Sequence, residues 1–264
     1  MTIMLAKRQH GQAVAETSRD RPAPYKRQWR TAFRALRRLL GDPDATGQVF
    51  EIMRALNPPA TRRGYLKLIE GPAGARLAYE RTELAARLMD RDWLSGFPAG
   101  TVGAAYRDFV WSENLSAAGL VEESQRGLDA GLIDAPSPVA WYGRRIRDVH
   151  DIWHILTGYG RDPLGEACLV AYSFSQTRGL GWLIIALGVA IRGGSGVPGV
   201  RRAIYEGFRN GRRSAWLPSV DYEVLMAEPL DAARARLGIA PPTRYRAVVA
   251  RIHAAVAVGS ISKI

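Results

Sequence analysis

Apolar side chains recur along this chain at spacings of three and four, the period of an α-helix, with no run of the β-branched alternation that marks a half-buried strand. Between Trp29 and Leu40, Phe33, Leu36, Leu39 and Leu40 stand at helical spacing with arginines between them. This predicts an amphipathic helix with a strongly basic polar side, either packed by its apolar stripe or lying in a lipid interface. Gly41-Asp-Pro-Asp-Ala-Thr46 reads as a turn with a cap, opening a helix over 48–56 that Pro58-Pro59 ends. Further helices are expected over 61–70, 72–90, 100–113 and 117–130, broken by Gly71-Pro72, Gly96-Phe-Pro98 and Asn114-Leu-Ser116. After a loop from Asp134 to Pro138, Val139 to Thr157 reads as one long helix, followed by others over 163–178, 180–192, 199–210, 221–237 and 243–257. Gly193-Gly-Ser-Gly-Val-Pro-Gly199 is the most flexible internal loop; it lacks the lysine and the preceding strand of a phosphate-binding loop. The expected fold is all-α: a single helical domain of about ten helices over 29–258, flanked by a mobile basic tail (1–28) and a short tail (259–264).

Charge sharpens this picture. The 264 residues carry a net charge of +12 and a pI near 10.3, concentrated at 1–40, where ten Lys/Arg face Glu16 and Asp20, and at 201–213, where five Arg face Glu206. Such a chain is drawn to acidic surfaces. Aromatic residues do not interleave with these basic runs in the pattern of a base-stacking surface, and no nucleic-acid motif is present, so a membrane surface is the expected partner and nucleic acid is not. The N-terminal stretch lacks the apolar core segment of a signal peptide. The most apolar run, Leu180 to Ile191, is twelve residues long, against the roughly 20 a helix needs to cross a bilayer. It is expected to be a buried helix or to line an apolar cavity, in a protein that is soluble or peripheral. Cys168 is the sole cysteine, which excludes an intrachain disulfide and reads as a buried small residue.

Candidate chemistry converges on one stretch, from Arg147 to Glu166. Two of the four histidines, His150 and His154, lie one helical turn apart and project to the same side, with Asp151 at the edge of that face. Gly158 and Gly160 can stop the helix, and Asp162-Pro163 starts another with Asp162 as N-cap. Glu166 then falls in or just after the first turn, within reach of the histidines if the two helices fold back on each other. Two imidazoles with one or two carboxylates suit a divalent cation; the alternative is a core histidine pair satisfied by the two acids. The pattern differs from His-Glu-x-x-His, and the shorter arm of Asp151 suits a ligand or orienting group better than a general base. Arg147 stands one turn before Asp151, placed either to pair with it or to bind an anionic substrate group, and Arg145 competes for the second role.

His150-Asp151-x-x-His154 followed after eleven residues by Glu166 resembles the hallmark of the coenzyme Q (ubiquinone) biosynthesis protein four family. Ala35 to Thr46, Asp90-Arg-Asp-Trp-Leu94, Phe97-Pro-Ala-Gly-Thr-Val-Gly103 with Tyr106, Asn210-Gly-Arg-Arg-Ser-Ala215, Asp221-Tyr-Glu223, Pro229-Leu230 and Leu237-Gly-Ile239 are similar to other blocks of that family. The likeness covers roughly 30–242. Phe97-Pro and Thr101-Val stand where Leu-Pro and Ser-Leu are expected, swaps that keep the character of the site, and the basic N-terminal tail lies outside the match.

The resemblance implies an all-helical peripheral protein on the cytoplasmic side of the bacterial inner membrane, or the matrix side of the mitochondrial inner membrane in eukaryotes, associated with other ubiquinone-biosynthesis enzymes. It implies loss of the carboxyl group on ring carbon 1 of a polyprenylated 4-hydroxybenzoate-type precursor, in a simple or oxidative decarboxylation. It also implies a metal held by His150, Asp151, His154 and Glu166. Zinc suits the simple route and iron or manganese the oxidative one, with cobalt and magnesium as further candidates. The prenyl tail is expected to run along Leu180 to Ile191. The rival from another class is a non-catalytic prenyl-lipid-binding scaffold for a ubiquinone-biosynthesis complex.

Overall fold

The computed structural model describes residues 25–42, 45, 47–112, 137–193 and 197–257. Packing in it is organised around one helix with little room for water on any side. Pro163–Thr177 (α10) has eleven buried residues, and its apolar and small side chains point in all directions rather than along one stripe. Three helices close around it: Leu180–Gly193 (α11), Val200–Arg213 (α12) and Thr243–Ala257 (α15).

The tightest crossing is between α10 and α12, and small residues make it possible. Ala203, Gly207 and Gly211 recur every four residues on α12 and are buried. A Cβ on Gly207 would lie 2.4 Å from the Cys168 carbonyl oxygen, and one on Gly211 would lie 2.2 Å from Ser175 Oγ. Backbone therefore sits directly against backbone. Where α12 ends, Gln176 holds the departing chain: its amide nitrogen donates to Gly211 O (2.6 Å) and Ala215 O (3.1 Å), and its Oε1 accepts from Leu217 N (2.8 Å). Among the roles open to Cys168, the buried small residue is the one observed.

The N-terminal part forms a second layer. Trp29–Gly41 (α1) and Gly47–Leu56 (α2) pack on each other and on α11. The expected amphipathic helix is present, but its buried stripe is shifted: Ala32, Ala35 and Leu36 are buried, Leu39 and Leu40 are half-buried, and Phe33, expected in the stripe, is exposed. Tyr25 and Gln28, placed in the tail on sequence grounds, hydrogen-bond to backbone carbonyls of α2. The opposite side of α1 places Trp29 and Phe33 beside four arginines, so aromatics and positive charge share a face that their linear order had concealed. Next come Pro58–Leu68 (α3), Pro72–Glu80 (α4), Leu84–Met89 (α5), Arg91–Ser95 (α6) and Val102–Ser112 (α7). The helix expected over 117–130 lies outside the described residues.

Three expected helices are broken where local backbone chemistry intervenes. The helix over 72–90 ends at Arg81, which takes the left-handed conformation (φ 47°, ψ 41°) as C-cap of α4. The long helix over 139–157 divides into Pro138–Asp148 (α8) and His150–Thr157 (α9) at Val149, whose ψ of −4° widens the turn while its backbone hydrogen bonds continue. The segment over 221–237 divides into Tyr222–Leu225 (α13) and Leu230–Arg236 (α14), because Pro229 interrupts the helical ladder and bridges Thr101 instead. With a 3₁₀ turn at Leu217–Ser219, the described residues hold fifteen α-helices and no extended strand. The class is all-α.

The apolar run 180–191 is not a wholly buried helix. Ile184, Ile185 and Ala186 enter the core, whereas Leu187 and Ile191, one turn apart, are 51% and 71% exposed. No described helix is long and apolar enough to cross a membrane.

The α10–α12 crossing yields a stability prediction. Gly207→Ala forces two backbones apart and should destabilise the fold by about 1–3 kcal/mol, as overpacked sites do. Gly41→Ala, where an added Cβ meets nothing within 4 Å, should leave stability within about 1 kcal/mol of the parent. Chemical denaturation monitored by circular dichroism separates the two; equal midpoints for all three proteins would refute the tight crossing.

Candidate metal centre

The histidine helix α9 is short, and neighbours hold its end. Gly158 adopts the left-handed conformation (φ 73°) and returns its N–H to His154 O at 2.8 Å. The next orphan carbonyls are taken from outside: the Arg234 guanidinium of α14 donates to Ile155 O (2.8 Å) and Leu156 O (3.0 Å).

The chain then reverses into α10, as its capping residues predict. Asp162 Oδ1 accepts from Leu164 N and Gly165 N, both at 3.1 Å, and Pro163 occupies the first turn. Its other oxygen accepts a short hydrogen bond from Tyr245 Oη of α15, and that same phenol oxygen accepts from Gly160 N at 3.0 Å. Gly165 lets the loop lie flat on α10, since a Cβ there would fall 2.1 Å from Gly160 O. Loop and helix start are thus fixed to each other.

This geometry brings Glu166 under the histidine face. His150 Nε2 lies 3.4 Å from Glu166 Oε2, and His154 Nε2 lies 3.3 Å from Glu166 Oε1. One ligand atom from each of the three side chains falls within 4.8 Å of the others. The His154 side chain is 1% exposed, His150 20% and Glu166 36%, so the trio is closed behind and open in front. His154 Nδ1 lies 3.0 Å from Tyr159 O; a proton on Nδ1 donated to that carbonyl leaves Nε2 as a lone pair aimed at the trio. That Nε2 is buried and makes no hydrogen bond, because its approach to Glu166 is poorly aligned.

A buried acceptor without a donor costs about 1–3 kcal/mol unless something else fills it. A divalent cation does so with the right donor set: two imidazole nitrogens and one carboxylate, with coordination positions left on the open side. The electrostatics agree. Burial pushes the Glu166 carboxyl up, but protons on the His150 and His154 imidazoles, standing where a cation would, outweigh it and hold its pKa well below the usual carboxylate range. Burial likewise opposes charge on His150, and Glu166 and Asp151 reverse that and raise its pKa. The pocket favours a positive charge at its centre.

Asp151 does not join the trio. Residues i and i+1 point about 100° apart on a helix, whereas i and i+4 nearly superimpose, so Asp151 is half-buried beside the group and acts on His150 through charge. Arg147 pairs with Asp148 (Nε to Oδ1, 2.7 Å) rather than one turn on with Asp151. Arg145 is buried, hydrogen-bonded to Val220 O, with its guanidinium 5.2 Å from the Tyr222 ring and 5.8 Å from the Trp141 ring; none of these contacts is with the trio. Two aromatic neighbours escaped the reading of the sequence. Trp182 of α11 is parallel to the His150 ring within 6° at 6.1 Å, and Phe109 of α7 stacks on His154 at 5.9 Å. Trp182 stood in an apolar run read as a buried helix or the lining of an apolar cavity, without being singled out, and the Tyr159 carbonyl has no signal in side-chain identity.

The trio predicts about one divalent ion per chain, with three protein donors. His154→Ala and Glu166→Ala should each abolish stoichiometric binding of zinc, manganese or ferrous iron in calorimetry, while Asp151→Ala should retain the ion with affinity lowered about 10–100-fold, the range for residues that support ligands. Retention of one tight equivalent by His154→Ala would eliminate the site as drawn.

Known proteins are similar to this chain in sequence and fold. A family model described as coenzyme Q (ubiquinone) biosynthesis protein Coq4 matches residues 40–243, which include all of the site. The mitochondrial ubiquinone biosynthesis protein COQ4 homologue of Rattus norvegicus is 29% identical over 177 residues, covering 66% of this chain and 63% of the rat protein. The Bos taurus homologue is 30% identical over 184 residues, covering 67% and 65%. The match therefore spans slightly under two thirds of these relatives' length. A crystal structure of a protein from Nostoc punctiforme, titled for ubiquinone biosynthesis, superposes with a TM-score of 0.60 at 19% identity, covering 81% of this chain and 99% of that one, so the fold is shared. The chain belongs to the coenzyme Q (ubiquinone) biosynthesis protein Coq4 family.

Proposed function

We propose that this protein acts in ubiquinone biosynthesis by removing the carboxyl group from ring carbon 1 of a polyprenylated 4-hydroxybenzoate-type precursor, using a divalent metal at His150, His154 and Glu166. The observation that carries this reading is the buried Nε2 of His154, fixed in its tautomer by Tyr159 O and left without a hydrogen bond beside an ionised Glu166. A metal bound there supplies Lewis acidity toward an aryl carboxylate or a neighbouring ring oxygen.

The chain's own residues bind and orient. His154 and Glu166 offer donors whose positions the Tyr159 and Asp162 hydrogen bonds fix. Trp182 and Phe109 flank the histidines with apolar faces that fit an aromatic ring and keep water from it. Asp151 adds negative charge beside His150 and so supports that ligand. In the simple reaction a proton enters at ring carbon 1, the bond to the carboxyl carbon breaks with its electrons staying on the ring, and carbon dioxide leaves. In the oxidative variant a hydroxyl from water replaces the carboxyl, carbon dioxide leaves, and dioxygen takes up the two electrons and two protons released to form hydrogen peroxide; iron or manganese would serve this step in place of zinc. The prenyl tail draws the substrate from a bilayer and so places the protein at its surface.

A second reading, a lipid-binding scaffold for other ubiquinone-biosynthesis enzymes, draws on the exposed apolar residues Leu187 and Ile191. One pair of measurements divides the two. Purified protein loaded with zinc, iron or manganese is assayed for carboxyl loss from a prenylated hydroxybenzoate. Under the catalytic reading, His154→Ala and Glu166→Ala each lower turnover at least about 100-fold, as loss of a metal ligand implies, while both variants still assemble with partner enzymes. Equal turnover by parent and stripped protein rejects metal-dependent decarboxylation, and complex assembly without any turnover supports the scaffold.

A further inference from the structure

We propose that the outward face of α1 is a docking surface for an anionic lipid bilayer, with Trp29 and Phe33 entering the headgroup layer and Arg30, Arg34, Arg37 and Arg38 engaging lipid phosphates. The inference deepens the surface-associated part of the functional reading above and is independent of the metal.

Helical spacing puts these six residues on one side. Positions 29–30, 33–34 and 37–38 repeat every four residues, and all six are exposed. The other side is committed, since Ala32, Ala35 and Leu36 are buried. The helix therefore cannot roll its aromatics inward. Burial here runs against ordinary expectation, because alanines face the protein while Trp29 (42% exposed) and Phe33 (52% exposed) face out. No acidic residue occurs anywhere in α1, so the four arginines form a field of one sign. Aromatic rings flanked by arginines on a helix lying flat are what the bilayer interface accepts: rings at headgroup level, guanidinium groups on phosphate.

The apolar character continues onto the neighbouring helix. At Gly188 of α11, an added Cβ would be 3.1 Å from Leu36 Cδ1 and 3.2 Å from Leu40 Cδ1 of α1, so the two helices touch there. The exposed Leu187 and Ile191 stand one residue before and three residues after that contact, followed by exposed Arg192. Aliphatic side chains with no polar tip gain from a bilayer and nothing from a nucleic acid. The rings of Trp29 and Phe33 are moreover stacked on each other, centroids 5.9 Å apart and planes 25° apart, rather than held open for inserted bases. Among the described residues, the recess beside the six side chains, about 730 Å³, is lined by this one helix.

The test is co-sedimentation of the full chain with vesicles of phosphatidylcholine alone and of equimolar phosphatidylcholine and phosphatidylglycerol, free of prenylated substrate. Binding is expected to the anionic vesicles only, and to weaken as salt is raised. Replacing Arg30, Arg34, Arg37 and Arg38 together by Gln should lower partitioning about 100-fold, and Trp29→Ala with Phe33→Ala about tenfold, each with unchanged helical circular dichroism. The proposal is overturned if the parent ignores anionic vesicles, if it is retained by single-stranded RNA instead, or if both α1 variants bind like the parent, which would assign the attraction to basic residues elsewhere. His154→Ala, which tests the metal, should bind vesicles like the parent. Carboxyl loss from detergent-dispersed substrate by a protein that fails to bind vesicles would leave the decarboxylation reading standing and remove this one.

Discussion

The structure depends on a reversal of the chain over five residues, from Gly158 to Asp162, held by the two oxygens of one aspartate. Asp162 caps α10 with one oxygen and takes the Tyr245 hydroxyl with the other, while that hydroxyl accepts the Gly160 amide. Two segments far apart in sequence thereby fix one loop. Its position puts the Tyr159 carbonyl on His154 Nδ1 and sets Glu166, four residues past the cap, against both histidines. Without the reversal, the His150–His154 pair would be an ordinary helical face.

That loop is rigid only because its two helices are. On one side, α9 is a mere eight residues, too short to be stable alone, and draws its stability from packing and from Arg234 on its last carbonyls. On the other, α10 is embedded in core and pressed against α12 through glycines that allow backbone contact. A buried imidazole beside an ionised carboxylate is costly to assemble, and such a site persists where surrounding packing over-determines it. The close crossing below and the triple hydrogen bond above supply that constraint.

Charge and apolar surface are divided in the same way between inside and outside. The chain is basic overall, yet its carboxylate at the trio is drawn inward by two imidazoles, while four arginines of α1 stand outward without an acid on their helix. The exposed aromatics of α1 and the exposed aliphatics of α11 lie on the two helices that touch at Gly188. The outward face of α1 is thus suited to an acidic surface, and the interior to a cation.

Helical period and capping are local, and they alone settle the all-α class, most helix positions, the Asp162-Pro163 start of α10 and the shared face of His150 and His154. Glu166 could be named from sequence as a partner only on the condition that two helices fold back, since neighbouring helices meet through packing that no local pattern encodes. Tertiary structure decided the rest. It separated Asp151 from the trio, spent Arg145 on Val220 O and two aromatic faces, and gave Arg147 to Asp148. It also broke the helix over 139–157 at Val149 and that over 72–90 at Arg81, where the backbone dihedrals depart from those of a continuous helix. Trp182 lay unremarked in an apolar run read as buried helix or cavity lining, and only the tertiary structure set its ring parallel to that of His150. Side-chain direction along one helix is a local property, whereas which side of that helix meets the protein is settled only when every other helix has been placed.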